Sequence, residues 1–457
     1  MAALLDGPKT KVDVEALLKK LEDTKADADG SSEIREDALK KLHAGTRTLP
    51  DPQIQPLFDK EAIRLIGHYA FRDDGGPEQL PALRCLNNVL VRSVDSRQTL
   101  AYEIGPRKIA ATLKRSGPDA ELALANIIIF LSYNTSLDLN AAFENDDIAS
   151  TINAAIIRHA DSGELPTDAA STCSANVRLL STLAATYEKQ GYRFLDSVDP
   201  ILKMLSECTI LSPPLQPPVS TIVNALPVLP ISDKESLPID AVDKMVELLK
   251  DCISFYGTQD KETELSTVLF TLHHISQSKA GAAKDRLKEL LIPTDEDRTE
   301  ALGMGQSLPH KLLKMSNSSM FPGIREIIMT LYFDLSDQDS SRFVYNVGFG
   351  NAAGYLASKG IQLTQTDLQA SGNVDGGDDI NPITGQRIDR EPVSDLPEMT
   401  DEEKEREAER LFVLFERLRA TGVIDVENPA AQAMQMGSVE ELPDSDEDDG
   451  ETDRGKK

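Results

Sequence analysis

The chain has no tryptophan, and aromatic residues make up only 5% of its 457 positions. Few π-faces are on offer for stacking bases or sugars. Cations are also scarce: 48 Lys and Arg stand against 76 Asp and Glu, a formal net charge of −28. Nucleic-acid binding needs clustered Lys and Arg whose phosphate contacts release counterions, so this balance argues against it and favours a partner with a basic face. The four cysteines, Cys85, Cys173, Cys208 and Cys252, are widely separated, form no CxxC pair and sit among helical apolar residues. They read as reduced core thiols rather than zinc ligands or disulfides. Apolar runs are short. The longest lies near Ile127 to Leu131, far below the roughly 20 residues of a membrane-spanning helix. Met1 to Thr10 carries no apolar stretch after a positive start, so no secretory signal is expected and the chain reads as soluble and cytoplasmic.

What is present is helical periodicity. Two-residue alternation is nearly absent, whereas apolar residues recur at three and four, as in Val242, Met245, Leu249, Ile253 and Tyr256, or Ile324, Ile327, Ile328, Leu331 and Leu335. Further helices are predicted near 13–23, 33–45, 59–70, 78–93, 97–104, 119–133, 147–159, 173–189, 197–210, 217–226, 262–277, 283–291 and 308–316. Short amphipathic helices joined by Pro, Gly and Asp turns are the mark of a stacked solenoid, in which each pair buries its stripe against its neighbours. Separate bundles are the other all-helical layout. Ala123 to Leu131 is apolar on more than one face, as a helix packed on both sides in a stack would be. The expected fold is all-α, an armadillo/HEAT-type helical-repeat superhelix over residues 1–360, followed by a flexible acidic C-terminal region with one amphipathic helix.

Composition changes after Gly360. Residues 361–457 carry −16 of the formal charge and residues 1–360 the other −12. Residues 361–398 read as a flexible linker of Gln, Thr, Ser, Gly and Asp with little to bury. Residues 399–423 are predicted to be an amphipathic helix: Thr400 and Glu403 form a capping box, and Leu411, Leu414, Phe415 and Leu418 form its stripe. That stripe either docks back onto the last repeat or binds a partner. Residues 424–457 read as a disordered acidic tail, where Ser438 and Ser445 each have an acid three residues on, the pattern that acid-directed kinases favour.

Catalytic constellations are not apparent. The six histidines are scattered, and there is no HExxH, GxSxG or Walker A run; no catalytic residue, metal or cofactor is expected. Gly348-Phe349-Gly350-Asn351-Ala352-Ala353 fits G-x-G-x-x-A and follows Phe343-Val344-Tyr345, a plausible short strand. A dinucleotide fingerprint also needs a βαβ unit and an acid on a second strand about 20 residues on. Here the polar linker follows instead, so the motif reads as a tight glycine turn into a last helix, Asn351 to Ser358.

The stretch from Arg342 to Ala357, Arg-Phe-Val-Tyr-Asn-Val-Gly-Phe-Gly-Asn-Ala-Ala-Gly-Tyr-Leu-Ala, resembles the signature near the end of the repeat domain of the synembryn family. The resemblance continues in order through Asn381-Pro382-Ile383-Thr384-Gly385 and Met399-Thr400-Asp401-Glu402-Glu403-Lys404-Glu405, with a thinner likeness at Cys85-Leu86-Asn87-Asn88 and Val223-Asn224-Ala225-Leu226. It implies a guanine nucleotide exchange factor and folding chaperone for heterotrimeric G-protein α subunits, GDP-bound or nucleotide-free, acting by binding alone and recruited to the cell cortex or plasma membrane through Gα. It implies a concave groove that holds the Gα C-terminal helix, with Arg47 on the terminal carboxylate or backbone carbonyls, Asn88 clamping a backbone amide, Phe130 lining an apolar pocket and Asn224 repeating the role of Asn88. At another groove arginine of the family this chain has His43. The tail-helix stripe would be the second Gα contact. Thr364, Thr366 and Ser371 lie where animal members carry a phosphorylated acidic cluster, although acids are sparse around them here. The rival readings are an armadillo-type peptide adaptor of nuclear import and an exchange stimulator of small GTPases, without exchange activity on Gα.

Overall fold

The structure is a computed structural model that describes residues 13–25, 31–168, 170–256, 262–318, 322–361, 380–391, 400, 406, 410, 413, 414 and 417. It divides into two units, Met1–Leu290 and Leu291–Lys457, so the division falls inside the span expected to be one repeat domain. Among the described residues there is no β-strand; one antiparallel bridge joins Ile380 to Arg387.

The first unit is a stack of helix pairs: α1 (Val14–Asp23) with α2 (Ser32–Thr48), then, after the short α3 (Asp51–Ile54), α4 (Lys60–Ala70) with α5 (Gln79–Leu90). Next come α6 (Val94–Arg115) with α7 (Pro118–Ser132), and, after α8 (Asn140–Asn145), α9 (Ile148–Ser162) with α10 (Thr172–Thr186). The pairs α11 (Val198–Glu207) with α12 (Val219–Val223) and α13 (Ile239–Tyr256) with α14 (Glu262–Ser276) follow, and α15 (Gly281–Leu291) closes the series. The second members, α2, α5, α7, α10, α12 and α14, pack side by side as one layer, and α4, α6, α9, α11 and α13 form the other. Each pair buries its stripe against the next, the energetic logic of a helical repeat.

Local chemistry explains the element ends. The side chains of Asp13, Ser93 and Ser171 accept from the amides of Ala16, Ser96 and Ser174 at 3.0, 3.1 and 3.1 Å, capping α1, α6 and α10. Helix α7 lies between α5 and α10. Its buried Ala123, Leu124, Ala125, Ile127, Ile128 and Leu131 therefore face two neighbours, which accounts for the apolar run read from the sequence. Helix α6 is two helices joined at Gly105 (φ 69°), with Pro106 starting the second half. The residues after Pro106 escaped the periodicity reading because the proline looked like an end. At the start of the stack Arg35 (2% exposed) pairs with Glu78 (1%) at 2.8 Å, while Ser32 donates to the same carboxylate at 3.0 Å.

The second unit holds α16 (Leu308–Ser316), α17 (Pro322–Leu335), α18 (Ser340–Val347) and α19 (Phe349–Ser358). Phe343 to Tyr345 thus lie in a helix, not the short strand considered above. Asp339 caps it by accepting from the Arg342 amide at 2.8 Å, and Phe343, Val344 and Val347 form its buried face. Phe343 joins Phe333 and Tyr355 in an aromatic cluster with centroids 5.4 to 5.8 Å apart. Gly348, at φ 79°, makes the turn into α19. Residues 380–391, inside the stretch expected to be a linker, lie against this turn: Phe349 N donates to Pro382 O at 2.8 Å and Gly350 N to Ile383 O at 3.0 Å. The amides that would cradle a pyrophosphate in a dinucleotide fold hold carbonyl oxygens of the chain itself.

All four cysteines are free and buried. Burial pushes the thiols of Cys85, Cys173 and Cys252 up to about 12 and that of Cys208 to about 11. None is poised as a thiolate nucleophile. No described helix is long and apolar enough to cross a membrane.

Candidate functional site

The residues singled out from the sequence fall on the layer of second helices. Arg47 is exposed in the last turn of α2, Asn88 is half-buried near the end of α5, and Phe130 is half-buried near the end of α7. Asn224 is the exposed residue that ends α12. The first three belong to neighbouring helices and are linked by side chains at the helix ends. Asn88 Nδ2 donates to Thr46 Oγ1 at 2.9 Å, tying α5 to α2 beside Arg47. Arg97 donates to the carbonyls of Leu90 and Val91 at 2.6 and 3.2 Å, and its guanidinium carbon lies 5.2 Å from the centroid of Phe130. Arg92 donates to Thr46 O at 3.0 Å. Asn224 has no place in these bonds.

Spacing on the helices reveals a cationic patch. His43 and Arg47 are four apart on α2, Arg84 and Asn88 four apart on α5, and residues at that spacing share a helix face. The two helices pack together, so the four side chains form one patch. Burial, then the charges of Arg84 and Arg47, hold the His43 imidazole below its ordinary value, so it is neutral near pH 7. Arg47 and Arg84 are both exposed, and among the described residues neither makes an ion pair or side-chain hydrogen bond. In a protein of net charge −28, Arg47 and Arg84 are two exposed guanidiniums without acidic partners among the described residues, a chemistry that suits a carboxylate or backbone carbonyls. The amide oxygen of Asn88 remains available to accept a peptide N–H.

Arg84 was missed from the sequence, although its position one turn before Asn88 was the signal that could have found it. Further along the same layer Arg178 of α10 donates to Asn126 Oδ1 of α7 at 2.8 Å, a second guanidinium–amide link that the periodicity reading passed over. Among the described residues no three His, Cys, Asp or Glu side chains stand together as a metal site. The tail-helix contact is only partly described. Residues 406, 410, 413, 414 and 417 are helical, with Leu414 54% exposed. Leu411, Phe415 and Leu418 lie outside the described residues, as do Thr366, Ser371, Ser438 and Ser445.

Comparison with known proteins places the chain in a family. The family described as "Guanine nucleotide exchange factor synembryn" matches residues 38–438. A synembryn-like chaperone of Schizosaccharomyces pombe is 32% identical over 170 residues, 34% of this chain and 32% of that protein. Chaperone Ric-8A of Macaca fascicularis is 28% identical over 178 residues, 37% of this chain and 33% of that protein. The Bos taurus Chaperone Ric-8A is 25% identical over 252 residues, 50% and 47% of the two chains. The matched stretches thus span from about a third to about half of the length of these relatives. With a family match that runs from α2 through residues 380–391 and on past the tail helix, the chain belongs to the synembryn family.

Proposed function

We propose that this chain is a guanine nucleotide exchange factor and folding chaperone for G-protein α subunits, and that it acts by preferring the nucleotide-free state. The observation that carries the reading is the patch of Arg47, Arg84 and Asn88 across α2 and α5, two unpartnered guanidiniums beside an amide. Such a patch suits the free carboxylate and last carbonyls of an extended C-terminal peptide. The Gα C-terminal helix would end there, with Phe130 of α7 and the exposed Tyr133 just after it offering apolar surface beside it.

No catalytic side chain is required for exchange. A protein that binds empty Gα more tightly than GDP-loaded Gα must weaken GDP by the same factor. A thousandfold effect takes about 4 kcal/mol of differential affinity. Withdrawing the Gα C-terminal helix from its own core is one source of that difference. The same grip would shield a new, empty Gα from aggregation, so exchange and chaperoning are two outcomes of one preference. Leu411, Leu414, Phe415 and Leu418 of the tail helix would make the second contact.

The test is GDP release from Gα, intact and lacking its last several residues. Stimulation of the intact protein only is expected; equal stimulation of both removes the patch from the account. An adaptor that binds peptides with no effect on Gα nucleotide would show neither.

A further inference from the structure

The second unit contains a buried cation that the proposed exchange activity does not use. Arg298 is 1% exposed. Its guanidinium donates to main-chain oxygens, Gly385 O at 3.0 Å and Tyr345 O at 2.9 Å, and stacks 4.5 Å from the centroid of the Tyr345 ring. Its own carbonyl accepts from Arg387 N at 2.8 Å. An arginine this deep is kept only where its donors are met, and here one of them is met by residues 380–391, 87 positions along the chain.

That segment is seated at several further points. Leu302 N donates to Thr384 O at 3.0 Å, and Gln386 Nε2 to Thr299 O at 3.0 Å. Phe349 and Gly350 donate to Pro382 and Ile383 as described above. Gly385 sits at φ 69°, and a Cβ there would lie 2.4 Å from Leu302 Cδ1, so the strap fits only because that position is glycine. The Asn-Pro-Ile-Thr-Gly motif and the Gly-Phe-Gly motif are thus two halves of one contact.

We propose that Arg298 is a positioning residue that seats residues 380–391 as a strap, and that the seated strap fixes where the chain that continues from Glu391 to Arg406 leaves the second unit. Its effect on exchange rests on the function proposed above; the seating and the positioning do not. With the strap seated, the last anchored residue, Glu391, stands nine positions before Thr400; with it released, Ile361 stands 39 positions before it.

The test uses the full chain with Arg298→Gln, which removes the anchor, and Gly385→Ala, which acts from the strap side and keeps the Arg298 side chain in case the first variant unfolds. Amide hydrogen exchange at Phe349, Gly350 and Leu302 reads seating. Protection is expected in the unmodified chain and a loss of at least about tenfold in both variants. Spin labels at M304C and R406C read positioning, since the native thiols are buried and Met304 is 76% exposed; the distance distribution should broaden in both variants. GDP release at subsaturating chain should fall in both variants, with affinity for the Gα C-terminal peptide unchanged. Retained protection in both variants would overturn the seating role, and lost protection with an unchanged distance distribution would overturn positioning. If seating and distances respond as expected but the unmodified chain has no effect on Gα, the strap stands and the proposed function fails.

Discussion

Replacing Arg47 and Arg84 by glutamine, singly and together, should be readable at His43 before any partner is added. The i,i+4 spacing of His43 and Arg47 puts their side chains about 5–6 Å apart. Two unit charges at about 6 Å in a water-like dielectric interact by about 0.7 kcal/mol. Both guanidiniums depress the His43 pKa, so each removal should raise it and the double variant should raise it further. A bound C-terminal carboxylate has the opposite charge and should also raise it. Linkage then requires the Gα peptide to bind about threefold more tightly as pH falls below the depressed pKa of His43. An NMR titration of the His43 ring, with and without peptide, measures both effects. An unchanged titration in the double variant would refute the electrostatic patch; a shift in the variant with none on adding peptide would mean that the peptide docks elsewhere.

Other consequences are independent of this one. Asn88→Ala should weaken peptide binding by about 1–3 kcal/mol in calorimetry if its oxygen accepts a peptide amide that is otherwise left unmet; unchanged affinity would leave Asn88 as the tie to Thr46 alone. Glu78→Gln removes the carboxylate paired with the buried guanidinium of Arg35 and should lower stability by about 3–5 kcal/mol in denaturant melts; a loss below about 1 kcal/mol would show that water reaches the pair. His159 is buried, with Nδ1 2.5 Å from Glu164 and Nε2 3.8 Å from Glu121. Its bonding to Glu121, then to Glu164, raises its pKa, while Arg158 and Asn176 also face Glu121. A raised folded pKa contributes stability that is present below the ordinary value and lost as pH rises through the raised one. Melting temperature should therefore fall as pH rises from the ordinary histidine value of about 6.5 through the raised one, and His159→Gln should flatten that slope. Deleting residues 395–457 should preserve peptide binding and slow GDP release; an unchanged rate would remove the tail helix from the mechanism.

Helix positions were legible because the stacking of α2, α5, α7, α10 and their partners demands an apolar stripe in each helix, and that stripe is periodic in the sequence. Ala123 to Leu131 even disclosed that α7 is buried from both sides. Legibility failed where local signals competed. Pro106 starts the second half of α6 yet looks like its end, and the β-branched and aromatic residues of Phe343-Val344-Tyr345 suit a strand until Asp339 is seen to cap a helix. It failed again for long-range pairings. Nothing in the periodicity links Arg298 to Gly385, because the contact is made by backbone oxygens, which any residue carries. The patch was half visible: Arg47 and Asn88 came from family resemblance, whereas Arg84 needed knowledge that α2 packs on α5.

The account rests on a preference for the empty G-protein subunit. Titrating the full chain into nucleotide-free Gα and into GDP-loaded Gα by calorimetry measures it. Tighter binding of the empty form is expected, by about the factor by which the chain weakens GDP, and equal affinity for the two forms would contradict the account.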